Sequence, residues 1–270
     1  MPELPEVETT CRGIAPHITG KTVTGVVVRN AALRQPIPKE LSRELKGKVI
    51  RAVKRRAKYL LLETDTGTLL LHLGMSGSLR ILPVESPAGI HDHFDLQFAD
   101  CSLRLRDPRR FGLVLWTHAP AAEHPLICRL GPEPLSDAFD GDRFQQQAIK
   151  RRIPVKNFIM DGKVVVGVGN IYASESLFLS GIHPHRPCNR ISLARYRRLA
   201  DHIKQVLTAA IARGGTTLRD FQQEDGKPGY FAQELKVYGR ESKPCPNCGS
   251  LIKQMRIGQR SSFYCDRCQR

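Results

Sequence analysis

No stretch of this 270-residue chain is apolar over the ~18–20 residues that a membrane-spanning helix needs. The opening MPELPEVETT also lacks the apolar core of a secretory signal. Acidic residues are few: 26 Asp and Glu stand against 42 Lys and Arg, a formal net charge of +16. Internal repeats and low-complexity tracts are missing too. These absences disfavour a membrane protein and a secreted disulfide scaffold, and they predict a cytoplasmic protein. Such an excess of positive charge requires a polyanionic partner, most commonly nucleic acid; a basic surface with no specific ligand is the plainer alternative. Apolar residues make up 41% of the chain, enough for packed cores. The length suggests two domains at roughly 100–200 residues each.

The chain holds 8 cysteines. Cys11, Cys101, Cys128 and Cys188 are scattered without pairing logic and read as small hydrophobes of a reducing compartment. The other four form Cys245-x2-Cys248 and, sixteen residues on, Cys265-x2-Cys268. That is the spacing of a four-thiolate zinc site on two tight turns. One structural Zn2+ per chain is expected, with no open position for water and no organic cofactor. His91-Asp92-His93 could be mistaken for a second metal site, but no third or fourth ligand accompanies it.

The first 120 or so residues read as β. Runs at Tyr59–Glu63 and Thr68–Leu73 flank Thr64-Asp65-Thr66-Gly67, a hairpin turn. Phe94, Leu96 and Phe98 alternate with polar residues, as do Leu103 and Leu105, and Leu113–Trp116 is a further apolar run. Short strands with regular turns predict a sandwich or barrel. Pro-rich punctuation follows, with a linker at 129–135, and then the period changes. Ser136 or Asp137 is placed to cap a helix over Arg143–Lys150, and a second helix runs Ile171–Ser180 to Gly181. Ser192 caps a third, with Leu193, Tyr196, Leu199, Ile203, Leu207 and Ile211 on one face and Gly214-Gly215 as its stop. Residues 214–232 show neither period and read as a mobile loop. The tail from 236 is too short to fold without metal.

Removal of Met1 from a Met-Pro start leaves Pro2 with a free secondary amine beside the Glu3 carboxyl. Such an amine is partly unprotonated at neutral pH, since α-amines titrate near ~7.7–8.0. It can attack an aldehyde-level carbon and form a cationic iminium. Many unrelated chains also begin Met-Pro. In that plainer reading Glu6 and Glu8 are solvated or helix-N-terminal charges.

The segments PELPEVET at 2–9, RRAKYLLLE at 55–63, HLGMSGSLR at 72–80, DPRRFG at 107–112, VVGVGNIYASESLF at 165–178 and the cysteine tail are six motifs in one order. Together they resemble bacterial formamidopyrimidine-DNA glycosylase, over essentially the whole chain. The resemblance implies an α+β multidomain fold: an N-terminal β-sandwich catalytic domain (1–128), a helix–two-turn–helix domain (136–232) with a lesion-recognition loop at 214–232, and a C-terminal β-hairpin zinc finger (236–270). It implies Pro2 as nucleophile and Glu3 as acid/base. Lys58 would contact the lesion or its 3′ phosphate; a basic strand facing phosphate is the alternative. Met75, Arg109 and Phe111 match the family's wedge, which fills the stack emptied when a nucleotide is rotated out. Singly, Met75 and Phe111 fit a core and Arg109 a turn, whereas Gly74, Gly77 and Gly112 suggest exposed loop tips. Asn170, after Gly167-Val168-Gly169, is placed for phosphate at a helix N-terminus, with a simple N-cap as the alternative. His91 and Arg151 match DNA-contacting positions. Arg260, in Gly258-Gln259-Arg260-Ser261, matches the family's phosphate-binding Arg of the δ-elimination step.

The implied partner is double-stranded DNA carrying oxidised purines or abasic sites, bound by a monomer at the bacterial nucleoid with no membrane association. Nei-type relatives, which prefer oxidised pyrimidines, commonly open Pro-Glu-Gly-Pro and lack the full Met75, Arg109, Phe111 set; Leu4 and that set favour the purine enzyme. A non-catalytic zinc-containing DNA-binding protein explains charge and tail but leaves Pro2, Glu3 and Lys58 without a role. Asn157-Phe158 and Asp161-Gly162 depart from the usual family reading, which bears on local helix geometry. Cys11 is unusual and has no assigned role.

Overall fold

The structure is a computed structural model that describes residues 2–215 and 235–270. It divides into two compact units, 1–128 with the segment from 213, and 129–212 with the C-terminal region. Most of the Gly-rich segment 214–232 lies outside the described residues. Among the described residues no helix is long and apolar enough to cross a membrane.

The first unit opens with a helix, α1 (Leu4–Ile18), where the sequence pattern predicts β. Its apolar stripe is regular: Leu4, Val7, Cys11, Ile14 and Ile18 recur at intervals of three and four, and all are buried. Two prolines and adjacent threonines mask the pattern. Pro5 sits in the first turn, where a missing N–H is harmless, and Pro16 in the last. A reciprocal capping box between Glu3 and Glu6 starts the helix; the Glu6 carboxylate accepts the Glu3 backbone N–H at 2.8 Å. Cys11 is part of this stripe, and burial pushes its thiol up to about 11, so it serves as core.

Then follow β1 (Gly25–Val28), a short helix α2 (Leu41–Leu45), β2 (Ala52–Arg56), β3 (Tyr59–Glu63), β4 (Thr68–His72), β5 (Ser78–Leu82), β6 (Asp92–Gln97), β7 (Ser102–Arg106) and β8 (Leu113–Thr117). They form two four-stranded sheets, β1-β6-β7-β5 and β2-β3-β4-β8, antiparallel throughout. Leu60, Leu62, Leu69 and Leu71 from one sheet share a single core with Phe94, Leu96, Leu103 and Leu105 from the other, and with α1. This is the expected sandwich.

One buried ionic cluster is embedded in it. Asp95 and Arg104 make a two-pronged pair at 2.9 Å, Arg29 adds a contact at 2.6 Å, and Arg104 also binds the carbonyls of Ser86 and Pro87. Burial alone pushes the Asp95 carboxyl up, but the guanidinium hydrogen bonds outweigh it and hold it below the ordinary range.

In the second unit α3 (Gly141–Ala148) is capped by Asp140, whose Oδ1 accepts from Asp142 N and Arg143 N. The cap is therefore not Ser136 or Asp137, which lie too far upstream. Next come α4 (Val155–Ile159), α5 (Asn170–Leu179) and α6 (Leu193–Ala212). Phe144 stacks on Phe158 with centroids 5.2 Å apart, and Tyr196 meets Phe144 edge-on. The tail forms the hairpin β9 (Lys253–Ile257) and β10 (Arg260–Tyr264). Its core is not wholly its own: Phe178 of α5 packs with Val237, Ile252 and Phe263.

Asp95→Ala is expected to cost about 3–5 kcal/mol in denaturant unfolding, because it leaves the buried Arg104 guanidinium without its paired carboxylate. Because the folded carboxyl titrates below its unfolded value, its contribution is complete above the unfolded value near ~3.9. It fades as the pH falls through the lower folded value. The wild type should therefore lose more stability than Asp95→Ala between pH 5 and strongly acidic conditions.

Candidate active site and nucleic-acid interface

In the first unit the site residues fall on three features. The first is the start of α1. Pro2 and Glu3 are both buried, and the capping box fixes the backbone that carries them. Gly215 packs against this turn with φ +81; a Cβ there would lie 3.1 Å from Glu6 Cγ, so the approach requires glycine. Glu6 and Glu8 are therefore not merely solvated charges. Glu6 is part of the cap, and Glu8 pairs with Arg12 and Arg55 at 2.7 Å.

The second is the β2–β3 turn. Lys58 lies in this two-residue turn and not in a basic strand, the strand ending at Arg56. Ala57 takes φ +54, and Arg55, held by Glu8, donates to its carbonyl at 2.9 Å. The Lys58 turn is thus tied to α1.

The third is a pair of loops. Met75 sits at 36% exposure and Phe111 at 43%, so both are loop-tip side chains and neither is core. With Arg34, His72 and Gly74 they line an open cavity of about 200 Å³. The Arg109 guanidinium lies over the Phe111 ring, 5.1 Å from its centroid. Gly74 takes φ +62 and a Cβ on it would meet the Phe111 backbone at 2.4 Å, which is why the loops can touch. His72 Nδ1 accepts the Gly74 N–H at 2.9 Å. Burial, and then the charges of Lys58 and Arg34, push His72 down to about 4, so it is neutral at pH 7. That coupling places the Lys58 charge near this cavity. His91 is half-buried just before β6, and His93 is buried with Nε2 on the Asp107 carbonyl at 2.9 Å, a structural role.

In the second unit Gly169 is the N-cap of α5 and Asn170 its first residue, so the simple N-cap alternative for Asn170 does not hold. Its Nδ2 donates to the Ser261 carbonyl at 3.0 Å, with a long contact to Tyr238 Oη at 3.4 Å. Arg260 is the exposed first residue of β10, following the Gly258-Gln259 turn. Asn170 and Arg260 are thereby brought together. Arg151 is tethered to Asp161 at 3.4 Å and lies over Phe158. Asp161 thus holds one expected DNA contact, and Asn157-Phe158 does not prevent α4 from forming.

In the second unit two buried charged groups take structural roles that the sequence does not indicate, Lys156 being read there, with Lys150, Arg151 and Arg152, as a basic residue near the phosphate motif. Lys156 donates to the Ser261 carbonyl at 3.0 Å and Ser262 Oγ at 2.7 Å, fixing the hairpin to α4. Glu175 accepts the backbone N–H groups of Lys236, Val237 and Tyr238 at 2.8–3.0 Å. Burial nonetheless pushes its carboxyl up. A lone charge on an otherwise uncharged helix is the signal that could have found them.

The sulfur atoms of Cys245, Cys248, Cys265 and Cys268 all lie within 4.8 Å of one another, with 3.8 Å for Cys245–Cys268 and 3.5 Å for Cys248–Cys265. Tetrahedral zinc–thiolate bonds of ~2.3 Å require sulfurs about 3.8 Å apart. The donor set fits one structural zinc.

Three family descriptions match consecutive parts of the chain: the formamidopyrimidine-DNA glycosylase N-terminal domain at 1–114, the H2TH domain of the same enzymes at 130–222, and a zinc finger found in FPG and IleRS at 242–270. This chain belongs to the formamidopyrimidine-DNA glycosylase family. The family member of Alkalilimnicola ehrlichii is 60% identical over the full length of both chains. A Thermus thermophilus structure is similar at 38% identity and TM-score 0.90, covering 99% of this chain and 98% of that one. A Lactococcus lactis family member, solved with DNA containing an abasic site, gives 32% identity and TM-score 0.93 with 99% of each chain covered.

Cys248→Ser is expected to abolish binding of the one zinc, measured by metal analysis. Hydrogen-exchange protection of 253–264 should collapse while that of the sandwich and α6 persists. Replacing Cys11, Cys101, Cys128 or Cys188 should leave the zinc content at one per chain.

Proposed function

We propose that this chain excises oxidised purines, 8-oxoguanine and formamidopyrimidines, from double-stranded DNA and then cuts the strand at the abasic site by β,δ-elimination. The observation that carries the reading is the capping box holding Pro2 and Glu3 at the buried start of α1. With Met1 removed, the Pro2 nitrogen attacks C1′ with its lone pair and gives up its N–H proton, and the N-glycosidic bond breaks with its electrons leaving on the base, which takes up one proton. The Glu3 carboxyl protonates the sugar ring oxygen as the ring opens, giving a C1′ iminium on Pro2. The iminium draws electrons from C2′, so loss of a C2′ proton expels the 3′ phosphate. A second elimination then expels the 5′ phosphate.

Their placement supports roles for the other residues. Lys58 serves the lesion or its 3′ phosphate. Asn170, at the N-terminus of α5, and Arg260 hold phosphate, Arg260 also assisting the δ step. Arg151 and His91 contact DNA backbone. Met75, Arg109 and Phe111 enter the emptied stack; their joint exposure and the Arg109–Phe111 contact support this. Zinc supplies no chemistry, since four thiolates leave it no open position. The protein acts in the cytoplasm, on the nucleoid.

An added residue that keeps Pro2 in amide linkage should abolish excision, because an amide nitrogen has no available lone pair. Glu3→Gln should cut base excision strongly yet retain cleavage of a ready-made abasic site, where no base has to leave. Equal loss on both substrates would remove Glu3 from the glycosylase step. Arg260→Ala should weaken damaged and undamaged duplex alike and lower the slope of log affinity against log salt by about 1. Asn170→Ala should weaken both with little change in slope.

A further inference from the structure

The wedge loops and the His91 segment converge on one further side chain. Asp107 is fully buried. Its Oδ1 accepts from Ser76 Oγ at 2.8 Å, and its Oδ2 from the Gly112 N–H at 2.7 Å. Ser76 Oγ in turn accepts the Arg109 N–H at 3.2 Å. The Asp107 backbone completes the junction: its N–H donates to the His91 carbonyl at 3.0 Å, and its carbonyl accepts from Arg110 N at 3.1 Å and from His93 Nε2 at 2.9 Å. Ser76 adjoins Met75, and Gly112 adjoins Phe111. Arg110, between Arg109 and Phe111, is held at φ +55, a left-handed conformation that disfavours any residue with a Cβ. One carboxylate therefore ties two loops, far apart in sequence, into a single rigid piece and holds part of it in a strained shape.

We propose that Asp107 is a positioning residue for lesion extrusion. It registers Met75 with Arg109 and Phe111 so that the three enter the emptied stack together, and it couples that piece to the backbone of His91. The proposal rests on the wedge reading above. A carboxylate suits the task because both oxygens face donors. Misplacing one loop by about an ångström is enough to cost orders of magnitude in rate when reacting groups must be aligned. The step served is the one that unstacks a base. A duplex whose target site has already lost its base makes far less demand on it.

The test compares kcat/KM for excision from an 8-oxoguanine duplex with that for cleavage at a preformed abasic site. The variants are Asp107→Asn, Ser76→Ala and Met75→Ala, together with the doubles Ser76→Ala/Met75→Ala and Asp107→Asn/Met75→Ala. Ser76→Ala removes only the hydroxyl and keeps the question open to an answer should Asp107→Asn fold poorly. Ser76→Ala and Asp107→Asn should each lose roughly ten-fold or more on the lesion duplex and much less on the abasic duplex. Adding Met75→Ala to either should cost little beyond Met75→Ala alone, since the tether acts through the wedge. Equal losses on both substrates, or losses that multiply in the doubles, would overturn the proposal in favour of a general structural role. Full activity of Ser76→Ala and Asp107→Asn beside an impaired Met75→Ala would overturn it while sparing the wedge. An unimpaired Met75→Ala would instead sink the wedge reading, and the function assigned to the tether with it.

Discussion

A single hydrogen bond, from the Glu3 backbone N–H to the Glu6 carboxylate at 2.8 Å, is the contact on which the rest of the site depends. A nucleophile made from the start of a chain has no side chain of its own to orient it, and chain ends are normally frayed. Its position must come from backbone held by something rigid. Here that is a helix whose buried stripe runs from Leu4 to Ile18 and enters the sandwich core. The cap, the stripe and the Glu8–Arg55 link to the Lys58 turn all place the reactive end with respect to the sheets.

The same principle recurs in both units: buried charge fixes exposed chemistry. In the first, Asp107 fastens the two loops that present Met75, Arg109 and Phe111. In the second, Lys156 and Asn170 both reach the Ser261 carbonyl, beside Arg260, and Glu175 gathers the three backbone N–H groups that lead into the zinc module. Each of these buried charges has hydrogen-bond partners in place, which offset part of its desolvation, although for Glu175 burial still outweighs them, and which specify a geometry that a purely apolar contact could not. Zinc belongs to this scheme as a fastener: it closes the turns below the hairpin while Phe178 of α5 supplies apolar support.

Much of this is legible in the sequence, for physical reasons. The strands show either as short leucine runs buried on both faces, at 60–62 and 69–71, or as apolar–polar alternation, at 94–98 and 103–105, and the four cysteines announce a metal by spacing alone. The helix α1 is hidden because Pro5, Pro16 and the threonines depress its propensity, while tertiary burial of Leu4, Val7, Cys11, Ile14 and Ile18 decides the outcome. Lys58 reads as part of a strand, since nothing in Arg-Arg-Ala-Lys-Tyr marks a turn that relies on positive φ at an alanine. Family motifs point to Met75, Arg109, Phe111, Asn170 and Arg260 without saying what holds them. Asp107, Lys156 and Glu175 do that holding; a lone charge on an otherwise uncharged helix hints at the last two, whereas nothing in Asp-Pro-Arg-Arg marks Asp107 as buried.

The central claim, that the chain's own N-terminal nitrogen is the nucleophile, is tested most directly by borohydride reduction during turnover of a duplex containing 8-oxoguanine opposite cytosine, followed by peptide mapping of the covalent adduct. The account predicts a single adduct on the N-terminal peptide, at the nitrogen of Pro2 with Met1 absent. An adduct on the peptide containing Lys58, or no adduct while excision proceeds at full rate, would contradict it.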